Sequence, residues 1–212
     1  MRYLIFDIET GPRADAAEYL KPYAPPANWK DPAKIELARR AHVEKELDRA
    51  ALSAETCEVL AVGVWHWNDG TEIYDTGDEA QTLTAFWDAW EKTGSHCEVV
   101  GFNCRDFDIP VLIRRSYALG VRVPYDVCNY YRGRVTQNER IKDLMQVWGC
   151  GVHGERISLN RLARVLGVGS KEEGAGKYYH QLRKDDPEAA RDYLVKDVEL
   201  TWHVALKMGV VK

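Results

Sequence analysis

Four short, β-prone apolar runs precede residue 103, and beyond them the hydrophobic pattern is helical to the C-terminus. Tyr3-Leu4-Ile5-Phe6 reads as a buried first strand, stopped by Gly11-Pro12. Val59 to Trp65 and Thr71 to Tyr74 flank Asn68-Asp69-Gly70, where Asp-Gly signals a hairpin. Leu83, Phe86, Trp87 and Trp90 recur at helical spacing, so a helix runs from Asp78 to about Gly94, and Glu98 to Phe102 forms a fourth, central strand. Helical patterns follow at 108–119, 142–148, 158–166 and 187–208. Because parallel strands need a crossover helix between them, this order predicts an α/β fold: a mixed sheet covered by helices.

A chain of 212 residues, 45% hydrophobic and 29% charged, is large enough for a real core and excludes collagen-like, disordered and coiled-coil readings. One domain spanning 1–212 is expected. Residues 11–31 are rich in Pro and Ala and read as a loop; Asp31 then caps a helix whose first residue is Pro32, and a charged surface helix continues to about Ala51. No apolar run approaches the eighteen or so residues of a membrane span, and an acid interrupts the N-terminus at Asp7, so a cytoplasmic protein without membrane association is expected. The five cysteines are odd in number and irregular in spacing, which suits reduced thiols.

The net charge of −4 conceals an uneven distribution. Residues 1–100 carry −9, residues 101–184 carry +7 and residues 185–212 carry −2. A basic middle between acidic ends is compatible with a cationic face beside an acidic site, and equally with solvated helix surfaces.

Asp7 and Glu9 are two apart on the first strand, so both project from one face at the end of a buried strand, where open α/β sheets place ligands. Asp108 follows the central strand at the opening of a helix, where an Asp can also simply cap. Tyr193 and Asp197 are four apart on the last helix, beside the apolar stripe of Leu194 and Val198, so they share a face turned inward or at its border. Four acids brought together repel one another unless cations neutralise them, and hard oxygen ligands select Mg²⁺ or Mn²⁺. Two weaker signals fall away. Gly174-Ala175-Gly176-Lys177 has Lys171 and Tyr178 where a phosphate-binding loop needs Gly and Ser or Thr, and Cys150 with His153 has no second pair at zinc-site spacing.

Taken in order, Phe6-Asp7-Ile8-Glu9-Thr10, Gly101-Phe102-Asn103 through Phe107-Asp108, and Tyr193 through Asp197 resemble the three motifs of the DEDD, or DnaQ-like, 3′→5′ exonucleases. Tyr193, standing where a sister subgroup has His, makes the last motif similar to the tyrosine-bearing branch, and within it the chain resembles proteins whose nuclease domain is similar to that of family B DNA polymerases. Ser158 to Gly167 resembles the helix preceding the last motif, and Asp143-Leu144 falls where such proteins often have an Asp. The resemblance implies a ribonuclease H-like mixed sheet of about five strands. It further implies two divalent ions held by Asp7, Glu9, Asp108 and Asp197, a water-orienting Tyr193, and contacts from Thr10 and Asn103 to the terminal nucleotide; Phe107 fits either that contact or a core anchor. The implied reaction releases nucleoside 5′-monophosphates from the 3′ end of single-stranded DNA, with an exoribonuclease or an inactive nucleic-acid-binding module as alternatives. It leaves room for a replication or repair protein as partner, and for a free-standing nuclease or a subunit. Residues 11–56 depart from the pattern: Lys30, Lys34, Arg39 and Arg40 suit a grip on the strand and Tyr19, Tyr23 and Trp29 suit base stacking, while a packed lid is as compatible.

Overall fold

The computed structural model describes residues 3–66, 70–94, 96–129, 140–150, 156–171 and 179–212. In chain order its elements are β1 (Tyr3–Pro12), α1 (Pro32–Asp48), β2 (Cys57–His66), β3 (Gly70–Tyr74), α2 (Glu79–Lys92), β4 (Glu98–Gly101), α3 (Asp108–Leu119), α4 (Tyr125–Asn129), β5 (Ile141–Asp143), α5 (Leu144–Trp148), α6 (Leu159–Leu166), α7 (Tyr179–Asp185) and α8 (Pro187–Lys207). The five strands form one sheet in the order β3-β2-β1-β4-β5. Strands β1, β4 and β5 run parallel, Ile5 opposite Val100 and Gly101 opposite Asp143, while β2 and β3 pair antiparallel. This is the expected mixed α/β sheet flanked by helices. The chain divides into two compact units, one of residues 1–9 and 59–212, the other of Thr10–Glu58.

In the first unit, side-chain alternation along β1 decides which helices each face meets. Phe6 turns to α2, its ring centroid 5.4 Å from that of Phe86, which in turn packs on Trp87 and Trp90. Tyr3 and Ile5 point the other way, into a cluster with Leu162 of α6 and Leu194, Val198 and Val204 of α8. Asp7 and Glu9 continue that second series, so the face that buries α8 also carries the acids. Helix α8 lies very close to β2: a Cβ on Gly63 would stand 2.7 Å from Val198 Cγ2 and 2.9 Å from Leu194 Cγ. Trp65 and Trp202 stack, with centroids 5.0 Å apart.

In the second unit α1 begins as expected, with the Asp31 carboxylate accepting from the Ala33 and Lys34 backbone N–H groups and Pro32 in the first turn. None of its residues is buried. Glu36 binds Arg39 and Arg40 within the helix, the Lys34 ammonium lies 4.2 Å from the centre of the Trp29 ring, and His42 Nε2 meets the Lys21 carbonyl at 2.9 Å.

One expectation about the elements is corrected. Residues 142–148 are not one helix, because Ile141–Asp143 pair with β4 as the edge strand β5 and only Leu144–Trp148 are helical. Trp148, the last residue of α5, is exposed. The turn residues Asn68 and Asp69 lie outside the described residues, as do Gly174–Lys177 and His153. Cys57, Cys97 and Cys104 are buried and Cys150 is exposed.

Candidate active site

The site forms where the parallel strands end. Oxygen atoms of Asp7 and Glu9 on β1 and of Asp197 on α8 all lie within 4.8 Å of one another. Asp108 stands outside that trio but lines the same 640 Å³ cavity as Asp7, together with Asn103, Phe107, Asn160 and Lys171. The Ile8 backbone N–H serves both the Asp7 and the Asp108 carboxyl. Glu9, Asp108 and Asp197 retain only 7%, 4% and 2% of their exposure, a depth at which carboxylates need compensation.

That compensation is incomplete. Burial, then the charge of Asp197, pushes the Asp7 carboxyl up to about 7. Burial and the neighbouring acids drive Glu9 and Asp108 well above the ordinary carboxylate range, and burial also raises Asp197. Among the described residues Lys171 opposes the rise of Asp7, Glu9 and Asp197, its ammonium donating to Asp197 Oδ2 at 2.5 Å and to the Tyr193 hydroxyl at 3.2 Å. Burial works against its charge, but attraction to Asp197 outweighs it, so the ammonium is held protonated above its ordinary range. Burial followed by the Asp197 charge likewise raises the Tyr193 phenol, which stays a neutral hydroxyl near neutral pH. Its ring leans on Tyr179, with centroids 6.2 Å apart.

The residues fit divalent cations. Asp197 Oδ1 is buried with no hydrogen-bond partner among the described residues, and it belongs to a cluster of hard oxygen donors whose negative charge one lysine cannot balance. An oxygen in this position is one that a bound cation would satisfy.

Of the residues picked from the sequence, Asp7, Glu9 and Asp197 come together, Tyr193 stands beside them through helical spacing, and Asp108, Asn103 and Phe107 share the adjoining cavity. Asn103 adopts the left-handed conformation, φ 58°, and its side-chain oxygen is buried without a partner among the described residues. Phe107 is half-buried at the start of α3 and opens onto the cavity. Thr10 lies in the second unit, where its hydroxyl donates to the Ala51 carbonyl at 2.6 Å. No local sequence pattern marks Lys171 as part of the site, and none gives Asp143 or Asn160 a role. Asn160 Oδ1 accepts the Lys171 backbone N–H at 2.9 Å and so pins the segment that delivers the ammonium.

Known proteins agree with this architecture. The chain superposes on the family B DNA polymerase from the hyperthermophilic archaeon Pyrobaculum calidifontis with a TM-score of 0.61 and 22% identity, over 98% of this chain and 24% of that one. The chain thus spans about a quarter of that polymerase, and the likeness establishes a shared fold. Comparison with curated proteins gave no match. A family model described as a predicted 3′-5′ exonuclease related to the exonuclease domain of PolB matches residues 49–212. With that match covering most of its length and the five-stranded sheet to accompany it, the chain belongs to the family of predicted 3′-5′ exonucleases related to the exonuclease domain of PolB.

Proposed function

We propose that the protein is a metal-dependent 3′→5′ exonuclease that removes nucleoside 5′-monophosphates from single-stranded DNA ends. The observation that carries the reading is the close group of Asp7, Glu9 and Asp197, with Asp108 on the adjoining cavity wall, met by the Lys171 ammonium. In this reading the four carboxylates hold two Mg²⁺ or Mn²⁺ ions, which supply Lewis acidity toward the phosphodiester and its attacking water. Tyr193 keeps its proton and orients that water by hydrogen bonding, because a raised phenol makes a poor base. Lys171, already at the carboxylates, places a positive charge where the scissile phosphate brings negative charge. Asn103 and Phe107, on the wall of the 640 Å³ cavity, offer a polar and an apolar contact to the terminal nucleotide.

A 5′-labelled oligonucleotide incubated with the protein and Mg²⁺ or Mn²⁺ should give a descending ladder, with nucleoside 5′-monophosphates identified by mass. The same digestion on RNA of equal sequence tests the substrate. Degradation of RNA alone would replace DNA by RNA, and digestion undiminished in Asp7→Ala would refute the site.

A further inference from the structure

Asp108 owes its place to a turn, and that turn is unusual. It leaves β4 at Gly101, curls so tightly that a Cβ on Gly101 would stand 2.6 Å from Cys104 Cβ, and passes through Asn103 in the left-handed conformation. Helix α3 then begins at Asp108; within the turn the Asp106 and Phe107 N–H groups bond the Asn103 carbonyl and the Ile109 N–H bonds the Cys104 carbonyl, whereas the N–H groups of Asn103 and Arg105 bond outside it. Such a turn needs an external acceptor.

The acceptor is Asp143. It ends β5 directly opposite Gly101, is only 2% exposed, and gathers four backbone N–H groups, two from the turn after β4 and two from the first turn of α5. Asn103 N–H reaches Oδ1 at 3.0 Å and Arg105 N–H reaches Oδ2 at 3.0 Å, while Met145 and Gln146 donate to Oδ1 at 3.0 and 3.4 Å. One carboxylate therefore caps α5 and at the same time clamps the turn that carries Asn103 and launches Asp108. Four N–H donors to one carboxylate define its position far more tightly than capping alone requires, since α2 and α8 are each capped by an Asp with a single donor.

We propose that Asp143 is a positioning residue of the site: by fixing the Asn103–Asp108 turn it sets where the Asp108 carboxyl meets an incoming divalent cation. The inference rests on the exonuclease reading above. Residues that orient metal ligands typically change metal affinity or activity 10–100-fold when altered.

The test uses Asp143→Asn, which keeps the volume and one acceptor oxygen but turns a donor toward one of the clamped N–H groups, with Asp143→Ser as a second variant and Asp78→Ala, the cap of α2, as a control for plain capping. Mn²⁺ binding is measured by calorimetry and the Mn²⁺ dependence of oligonucleotide digestion alongside it. Expected are wild-type far-UV circular dichroism for Asp143→Asn, a 10–100-fold weaker Mn²⁺ affinity, a matching rise in the Mn²⁺ needed for half-maximal digestion, and recovery of activity at high Mn²⁺; Asp78→Ala lowers Tm and leaves both metal readouts unchanged. Wild-type Mn²⁺ affinity in a folded Asp143→Asn overturns the positioning role and leaves the exonuclease reading standing. If neither variant folds, Asp143 serves the whole fold and the role is likewise overturned. Absence of Mn²⁺ binding by the wild-type protein removes the exonuclease reading and the inference together.

Discussion

Carboxylates meet opposite fates in the two units. On α1, Glu36 lies between Arg39 and Arg40, whose hydrogen bonds and charges pull its carboxyl down to about 2. In the first unit burial pushes Asp7, Glu9, Asp108 and Asp197 all up; neighbouring acids add to the rise of Asp7, Glu9 and Asp108, while the Lys171 ammonium opposes it at Asp7, Glu9 and Asp197. Residues of one sign placed at i, i+3 and i+4 from residues of the other satisfy themselves at the surface. A buried excess of one sign does not, and a protein keeps such an arrangement when something from solution completes it. The contrast separates charge that serves a helix from charge that waits for a ligand.

The largest effect expected from that contrast is on activity. Removing a carboxylate that holds a divalent ion forfeits several kcal/mol of charge stabilisation, so Asp7→Ala and Asp197→Ala should each slow digestion about 10³-fold in single-turnover assays. Glu36→Gln should digest at the wild-type rate. Equal losses in all three variants would erase the distinction between the two regions.

A second effect is the direction in which stability changes with pH. Asp7 titrates at about 7 in the folded, metal-free protein against an ordinary 3.8, so the folded state holds the proton more tightly. The stability it contributes is complete below about pH 4 and is lost as pH rises through 7; Glu9, Asp108 and Asp197 act in the same direction. Glu36 runs the other way, its contribution present above 4.5 and lost only as pH falls toward 2. Metal-free protein should therefore show a lower Tm at pH 7.5 than at pH 5, and Mg²⁺ or Mn²⁺ should raise it at pH 7.5 far more than at pH 5. Lys171→Met, which removes the ammonium, should steepen the fall. A Tm that rises across this interval in the metal-free protein would contradict the picture.

Much of this was legible in the chain because local periodicity decides it. Asp7 and Glu9 declare a shared face through the period of two of a strand, Tyr193 and Asp197 through the period of a helix, and Asp31-Pro32 marks the start of α1 wherever the helix lies. What escaped depends on partners distant in sequence. Ile141–Asp143 are too short to announce a strand, and only pairing with Val99–Gly101 makes them one. Helix α7 offers little apolar periodicity in Tyr179–Asp185, and a long-range ion pair from its Arg183 to Asp75 helps to hold it. Lys171 matters through an ammonium meeting Asp197 across 26 positions, and Asp143 through N–H groups 38 and 40 positions away. Spacing rules reach about two helical turns, so such residues stay silent until the fold is known.

Packing gives a third, smaller contrast. A methyl at Gly63 would collide with Val198 and Leu194 on the helix that carries Tyr193 and Asp197. Gly63→Ala should cost about 1–3 kcal/mol in urea denaturation, as overpacking does, and should slow digestion because α8 must shift. Leu37→Ser, at a position of α1 that is 72% exposed, should stay within about 0.5 kcal/mol of wild type. A neutral Gly63→Ala would mean that α8 can move without disturbing its two site residues.

The smallest expected effect concerns Glu36 and salt. Both of its arginine partners are exposed, so water and ions already screen the pairs, and long side chains lose freedom to form them. Glu36→Gln should leave Tm unchanged within error at 150 mM salt and produce, at most, a slight loss at low salt that vanishes as salt is raised. The metal-free acids behave differently under the same titration: their repulsion is buried, where screening is weak, so monovalent salt should recover little of the stability that a divalent cation restores at pH 7.5. Should sodium chloride restore as much as Mn²⁺ does, the acids would be neutralised by any counter-ion, and no specific cation site would be needed to explain their burial.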